Sequence, residues 1–175
     1  MPASNKPIKP IYYILVGLWL LLVVVSFIYL VKQRLVSFDD QSVLINTPIS
    51  EMLQPLSTLN DGGLKQTIFH FYDAACSCTA LTKDHKAVID NTAVKDNFNI
   101  VNIDINANPQ FDFIPSTPAI LITDKNEQLL YVGPYSTGLD CSANNSLIEV
   151  VLSNYRQGFS SPIITSDAQG CYCSR

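Results

Sequence analysis

Hydrophobic positions follow three different rhythms along this chain, and each rhythm predicts a different kind of element. Residues 11–31, IYYILVGLWLLLVVVSFIYLV, form an unbroken apolar run without a charged side chain. At about 1.5 Å per residue a helix of this length reaches about 31 Å, close to the thickness of a bilayer core. Tyr12, Tyr13 and Tyr29 stand near its ends, where amphipathic rings favour the interface. A cleaved signal peptide would carry a shorter apolar region followed by small residues, whereas Lys32, Gln33, Arg34 and Leu35 follow here. The run predicts an uncleaved transmembrane helix behind a short tail, 1–10.

A second rhythm, alternating or continuously apolar over five to eight residues, predicts strands at 67–72, 98–105, 119–123 and 128–132. A third, with apolar residues three and four apart, predicts helices. Leu81, His85, Val88 and Ile89 place one over 79–94, and Leu147, Ile148, Val151 and Leu152 place another over 145–155, ending near Gly158. Asp124-Lys125-Asn126-Glu127 reads as a hairpin connection, and 106–116, with Pro109 and Pro115, as a loop. The order is β-α-β, then a β-hairpin, then α. A helix between two strands implies a parallel crossover, and the hairpin adds antiparallel strands to the same sheet.

The stretch 32–63 is less regular and reads as a stalk and lead-in. Residues 42–45 suit a short strand, and Ser50 offers a cap for a short helix over 51–59 that Pro55 weakens. Asn60-Asp61-Gly62-Gly63 then turns the chain into the regular part, 64–158, which leaves 159–175 as a polar tail.

Composition changes this picture in two respects. The whole chain has 175 residues, and without the anchor roughly 140 remain, enough for one domain with its own core. Net charge is −4 with an isoelectric point near 4.9, and no basic stripe exists, which argues against nucleic-acid binding. Lys6 and Lys9 before the apolar run nearly balance Lys32 and Arg34 after it, so charge alone does not orient the helix. The five cysteines suit an oxidising compartment, which favours an inner-membrane protein with a cytoplasmic N-terminus and a periplasmic domain.

The candidate chemistry lies in QTIFHFYDAACSC, residues 66–78, and in Thr117-Pro118. A strand runs into a turn that places Cys76 and Cys78 at the start of a helix, whose unpaired N–H groups and dipole favour a thiolate. The thiolate is the reactive species in disulfide exchange.

This arrangement resembles the thioredoxin fold across 64–158. FHFYDAAC matches the strand that ends in aromatic residues before the nucleophilic cysteine, Thr117-Pro118 with AILI matches the cis-proline and its following strand, and Gly133 matches the glycine closing the next one. The chain is also similar to a proteobacterial, membrane-anchored thioredoxin-like family known as a domain of unknown function. The resemblance implies an α/β, thioredoxin-like fold behind the anchor. It also implies a Pro118 packed against the redox cysteine, with the backbone at Thr117 pairing with a substrate strand. An ordinary trans proline opening an edge strand is the alternative for Pro118. The sequence departs from the family in having Ala75-Cys76-Ser77-Cys78-Thr79, with Thr79 at the usual resolving position. A Cys-x-Cys disulfide closes a tighter ring than Cys-x-x-Cys, which suits an oxidant or isomerase better than a strong reductant.

His70 occupies the position of the family's buried carboxylate, and an imidazole titrating near neutrality suits a proton relay; a hydrogen-bonded core histidine is the alternative. His85 is assigned no role, facing the other side of the sheet connection or solvent. Asp73 suits a turn or cap, the alternative being a like charge that raises the thiol pKa. Cys141 lies in the loop 136–144, and Cys171 and Cys173 form a second Cys-x-Cys in the tail. Either Cys141 joins a tail cysteine as a structural staple, or the tail passes electrons between Cys76/Cys78 and an outside partner.

The leading expectation is a membrane-tethered thiol–disulfide oxidoreductase with Cys76 as nucleophile, Cys78 as resolving thiol, Pro118 and His70 in support, and Thr117 and Pro118 contacting substrate. Its partners are protein thiols or disulfides, with a membrane electron donor as a further candidate, and it calls for no cofactor and no metal. Two alternatives stand beside it: a non-catalytic binding module, and a copper or soft-metal chaperone using the Cys-x-Cys pairs. No G-x-S-x-G, P-loop or G-x-G-x-x-G motif supports hydrolase or nucleotide chemistry.

Overall fold

Strand β2 (Thr67–Tyr72) organises the domain because both of its faces are covered. Phe69 and Phe71 enter one apolar cluster, while Ile68 enters another, as the two-residue period of a strand requires. The computed structural model describes residues 10–57, 59, 65–138 and 146–175. It divides into two units, Met1–Arg34 and Leu35–Arg175.

The first unit is α1 (Pro10–Arg34). Its segment Pro10–Lys32 has a mean hydropathy of 2.9 and is long and apolar enough to span a membrane.

In the second unit, β1 (Val36–Ser37), α2 (Val43–Asn46) and α3 (Ile49–Ser57) precede β2. Then come α4 (Ser77–Leu81), α5 (Lys83–Lys95), β3 (Asn99–Asp104) and a 3-10 turn at Pro109–Phe111. Next are β4 (Ser116–Thr117), β5 (Ala119–Thr123), β6 (Leu129–Pro134) and α6 (Ile148–Arg156). The last strands are β7 (Ile163–Ile164), β8 (Gln169–Gly170) and β9 (Cys173–Ser174). The central sheet has the order β3-β2-β5-β6-β7. It is mixed: β2 runs parallel to β3 and antiparallel to β5, β5 and β6 are antiparallel, and β6 and β7 are parallel.

Several elements differ from the sequence expectation. Within the expected stalk and lead-in, Phe38, Leu44, Met52 and Leu56 are buried in one cluster with Phe69, Phe71, Phe111 and Leu121 on one face of the sheet. Residues 42–45 do not form a strand. Buried Asp39 accepts hydrogen bonds from the N–H groups of Val43 (2.7 Å) and Leu44 (2.9 Å), which opens α2. The helix expected over 79–94 breaks at Thr82, and the buried face of α5 carries His85, Ile89 and Ala93 while Leu81 and Val88 are exposed.

The polar tail also differs, since it is tied into the fold. β7 extends the main sheet, β8 pairs with β1, and β9 pairs with β4. Gly133 makes room for the first of these contacts: a Cβ there would lie 2.9 Å from Thr165 Cβ.

Candidate functional site

Cys76 stands at the junction of the turn after β2 with α4. Asp73 shapes that turn: its Oδ1 accepts the Ala75 N–H at 2.7 Å, and its carbonyl accepts the Cys76 N–H (3.1 Å) and the Thr79 hydroxyl (3.0 Å). Asp73 is thus a turn residue, and the five-residue α4 is too short to carry much of the helix-dipole argument.

Both Cys-x-Cys pairs meet here, but neither closes on itself. Cys76 is bonded to Cys173 with a Cα–Cα distance of 5.9 Å, and Cys78 to Cys171 at 5.7 Å, both ordinary disulfide spacings. This corrects the staple expected between Cys141 and a tail cysteine, because both tail cysteines are taken by the first pair; Cys141 itself lies outside the described residues. The extended tail explains the geometry. Side chains alternate along it, so Cys171 and Cys173 face α4 while Tyr172 turns inward. The Tyr172 ring packs edge-on against Phe38 at 5.1 Å, and its hydroxyl donates to the Ser136 carbonyl at 2.6 Å.

The tail seats against the strand that precedes Pro118. Cys173 is the antiparallel partner of Thr117, and Ser174 that of Ser116. The Arg175 N–H donates to the Pro115 carbonyl at 3.0 Å, and its guanidinium to the Phe111 carbonyl at 2.9 Å. The Thr117-Pro118 peptide is cis, so the trans alternative does not hold, and β5 lies inside the sheet between β2 and β6. Cys76 Sγ is 3.6 Å from the Thr117 carbonyl oxygen. As a disulfide sulfur it has no proton to donate, so this is a packing contact in the oxidised state.

Cys76 and Pro118 line a cavity of ≈ 340 Å³ whose wall also holds His70, Tyr135, Lys83 and Lys86. A larger cavity of ≈ 620 Å³, lined by Val43, Glu51, Gln110 and Phe113 among others, is bordered by no cysteine. His70 is buried on β2. Its Nδ1 is hydrogen-bonded to the Tyr135 hydroxyl, and its Nε2 lies 2.8 Å from Asp90 Oδ1, out of line for a hydrogen bond but close enough for charge to act. Lys86 Nζ donates to Asp90 Oδ2 at 2.5 Å and completes the row.

The charges of this row follow from its surroundings. Burial, with a smaller push from Lys86, lowers the His70 pKa below its ordinary 6.5 despite the opposing pull of Asp90. Burial alone would raise Asp90, but the contacts from His70 and Lys86 outweigh it and hold the carboxyl below its usual value. Burial pushes the Tyr135 phenol well above 10.0, so it stays protonated. The site therefore contains a neutral imidazole and a neutral phenol beside the cavity, with an ion pair behind them.

Residues 46–175 match the family described as Domain of unknown function (DUF6436). The chain belongs to that family. No curated protein matches this DUF6436 chain. Among solved structures it is similar to one titled as the structure of a malarial protein, at 14% identity and TM-score 0.39, covering 52% of this chain and 96% of that one. A hypothetical protein from Sinorhizobium meliloti 1021 is similar at 14% identity and TM-score 0.44, over 68% and 82% of the two chains. The oxidised C-terminal domain of DsbD from Neisseria meningitidis is similar at 16% identity and TM-score 0.32, over 71% and 100%. At such TM-scores these likenesses carry no functional weight.

The structure brings Cys76, Cys78, Thr117, Pro118, Cys171 and Cys173 together, with His70 on the wall of the same cavity. Sequence reading missed Tyr135, Asp90 and Lys86. Lys86 and Asp90 are a helical i, i+4 pair, a signal shared by many solvated faces. His85, expected to be idle, is buried with Nε2 3.1 Å from Glu149 Oε1 and its ring edge-on to Tyr135 at 6.0 Å.

Proposed function

We propose that this protein is a membrane-tethered thiol–disulfide oxidoreductase whose own C-terminal strand occupies the substrate position. The observation that carries this reading is the seat of Cys173, which is disulfide-bonded to Cys76 while its backbone pairs with Thr117, next to Pro118. An extended segment paired there and bonded to Cys76 is the geometry of a mixed disulfide with a protein substrate. The order β2-α4-α5-β3, then the β5-β6 hairpin and α6, supports a thioredoxin-like core. The apolar α1 and the two disulfides support a domain on the oxidising, periplasmic side of the inner membrane.

The chemistry starts at the tail. Cys76 and Cys78 are buried, at 6% and 5% exposure, while Cys171 and Cys173 are half-buried. A substrate thiolate attacks Cys173 Sγ, the Cys76–Cys173 bond breaks, and Cys76 leaves as a thiolate. Cys76 then attacks Cys78 Sγ, its near neighbour, and releases Cys171. The substrate's second thiolate attacks the sulfur of its partner bonded to Cys173, closes the substrate disulfide and releases Cys173. Two electrons and two protons leave the substrate dithiol, and the protein ends with a Cys76–Cys78 bond and two tail thiols. His70, neutral and beside the cavity, takes up a proton lost by a thiol there, with Tyr135 holding its ring. Protein dithiols are the substrates, and a membrane disulfide source restores the oxidised form.

A second reading has its own observation. Both disulfides fasten a strand that is also held by backbone pairing, as structural staples do. In that case the domain is a non-catalytic binding module. Treating the detergent-solubilised full chain with one equivalent of a reduced, unfolded dithiol peptide separates the two. The oxidoreductase reading expects peptide disulfide and a Cys76–Cys78 bond with Cys171 and Cys173 as thiols, mapped by mass spectrometry. Both original disulfides intact after prolonged incubation would overturn it in favour of the binding module.

A further inference from the structure

The four bonded cysteines are held together by more than their own bonds. β9 is also paired to β4, β8 to β1, Arg175 to the Phe111 carbonyl and Tyr172 to the Ser136 carbonyl, contacts that do not involve the sulfurs. On the other side, the Asp73 turn fixes the start of α4. Reduction of both disulfides by an external dithiol takes up four electrons and four protons and oxidises two equivalents of donor to disulfide. It leaves four thiols on segments that these contacts still tie together.

The Sγ atoms of Cys76, Cys78 and Cys173 lie within 4.8 Å of one another; Cys171, bonded to Cys78, stands more than 4.8 Å from at least one of the other two. Four thiolates around a tetrahedral zinc, at about 2.3 Å each, stand about 3.8 Å apart. Reaching that arrangement requires the bonded sulfurs to part and Cys171 to swing toward the other three, which cleavage of its bond to Cys78 permits. Thiolates crowded into this half-buried place repel one another, and a cation that prefers sulfur relieves the repulsion.

We propose that the reduced form binds one thiophilic d10 cation, Zn²⁺ or Cu⁺, through Cys76, Cys78, Cys171 and Cys173. Metal binding and disulfide formation exclude each other, because a sulfur bonded to sulfur offers no thiolate. The oxidised protein is metal-free at this site and the reduced one is loaded. The site uses the sulfurs of the oxidoreductase reading but does not depend on turnover, so the site and the turnover are tested separately.

The test uses the full chain in detergent, reduced with a phosphine, desalted without oxygen and titrated with Co²⁺ as an absorbing stand-in for zinc. Zn²⁺ competition and Cu⁺ competition against a chromogenic chelator then distinguish the two cations. The expected result is one Co²⁺ per reduced chain with intense thiolate-to-metal absorption, none for the oxidised chain, and binding weakened more than about tenfold in the C171S/C173S double variant. Because that variant can lose its fold, alkylation of the wild-type protein gives a second readout. Bound metal should protect Cys76, Cys78, Cys171 and Cys173 together. Equal binding by reduced and oxidised chains, binding unchanged in a folded double variant, or alkylation of the four cysteines unaffected by metal would each overturn the proposal.

Discussion

His70 shows how a single position acquires a pH dependence. Its folded pKa lies below its ordinary 6.5, because burial disfavours the charged ring. Above that value both folded and unfolded chains carry a neutral imidazole, and the group has no effect. As pH falls below it, the unfolded chain takes a proton that the folded one resists, so stability declines until the folded pKa is reached. Asp90 acts at lower pH: its depressed pKa stabilises the fold above the ordinary 3.8, and that contribution is lost as pH falls below it. The melting temperature should therefore drop between pH 7 and pH 5.5, and His70→Gln should flatten that slope. An unchanged slope would mean that the imidazole is free to charge.

Gly170 is the other residue whose surroundings decide its identity. A Cβ there would stand 2.6 Å from the Tyr172 hydroxyl and 2.7 Å from Cζ. Gly170→Ala must displace the Tyr172 ring and its bond to the Ser136 carbonyl, at a cost of about 1–3 kcal/mol. Denaturant unfolding should show this loss, together with faster alkylation of Cys171 and Cys173 after reduction.

Elements with many residues in one rhythm were legible, and elements defined by their partners were not. The strands around β2, β3, β5 and β6 and the helix α6 lie where hydrophobic alternation and three-to-four spacing place them. The apolar helix α1, long enough to span a membrane, was legible from its length and lack of charge. Residues 43–46 form a helix because Asp39, four positions earlier, supplies acceptors for its first N–H groups, a local cap that hydrophobic alternation does not register. β4, β7, β8 and β9 have two residues each, too few to show a period, and exist because a neighbouring strand pairs with them. The two Cys-x-Cys pairs were visible as motifs. Their crossing was not, because the extended tail and its Tyr172 anchor set the pairing.

The lead-in helix gives a test at this scale. Met52 and Leu56, one turn apart on α3, are buried against the sheet. Met52→Ala or Leu56→Ala should each cost about 2–5 kcal/mol in denaturant unfolding of the full chain. A change below about 0.5 kcal/mol, the size expected of an exposed surface position, would return this segment to a stalk.

At the scale of the whole molecule, an apolar helix precedes a domain whose C-terminal segment is disulfide-bonded to the Cys76/Cys78 pair. A reporter active only outside the cytoplasm, fused after Arg175, should be active, and a cytoplasm-dependent one silent; the reverse would remove the compartment that disulfides need. The most direct test of the central claim is disulfide mapping of the full chain, alkylated and isolated from membranes without reductant. Peptides joining Cys76 to Cys173 and Cys78 to Cys171 are the expected result. Bonds within each Cys-x-Cys pair, or from Cys141 to a tail cysteine, would contradict it.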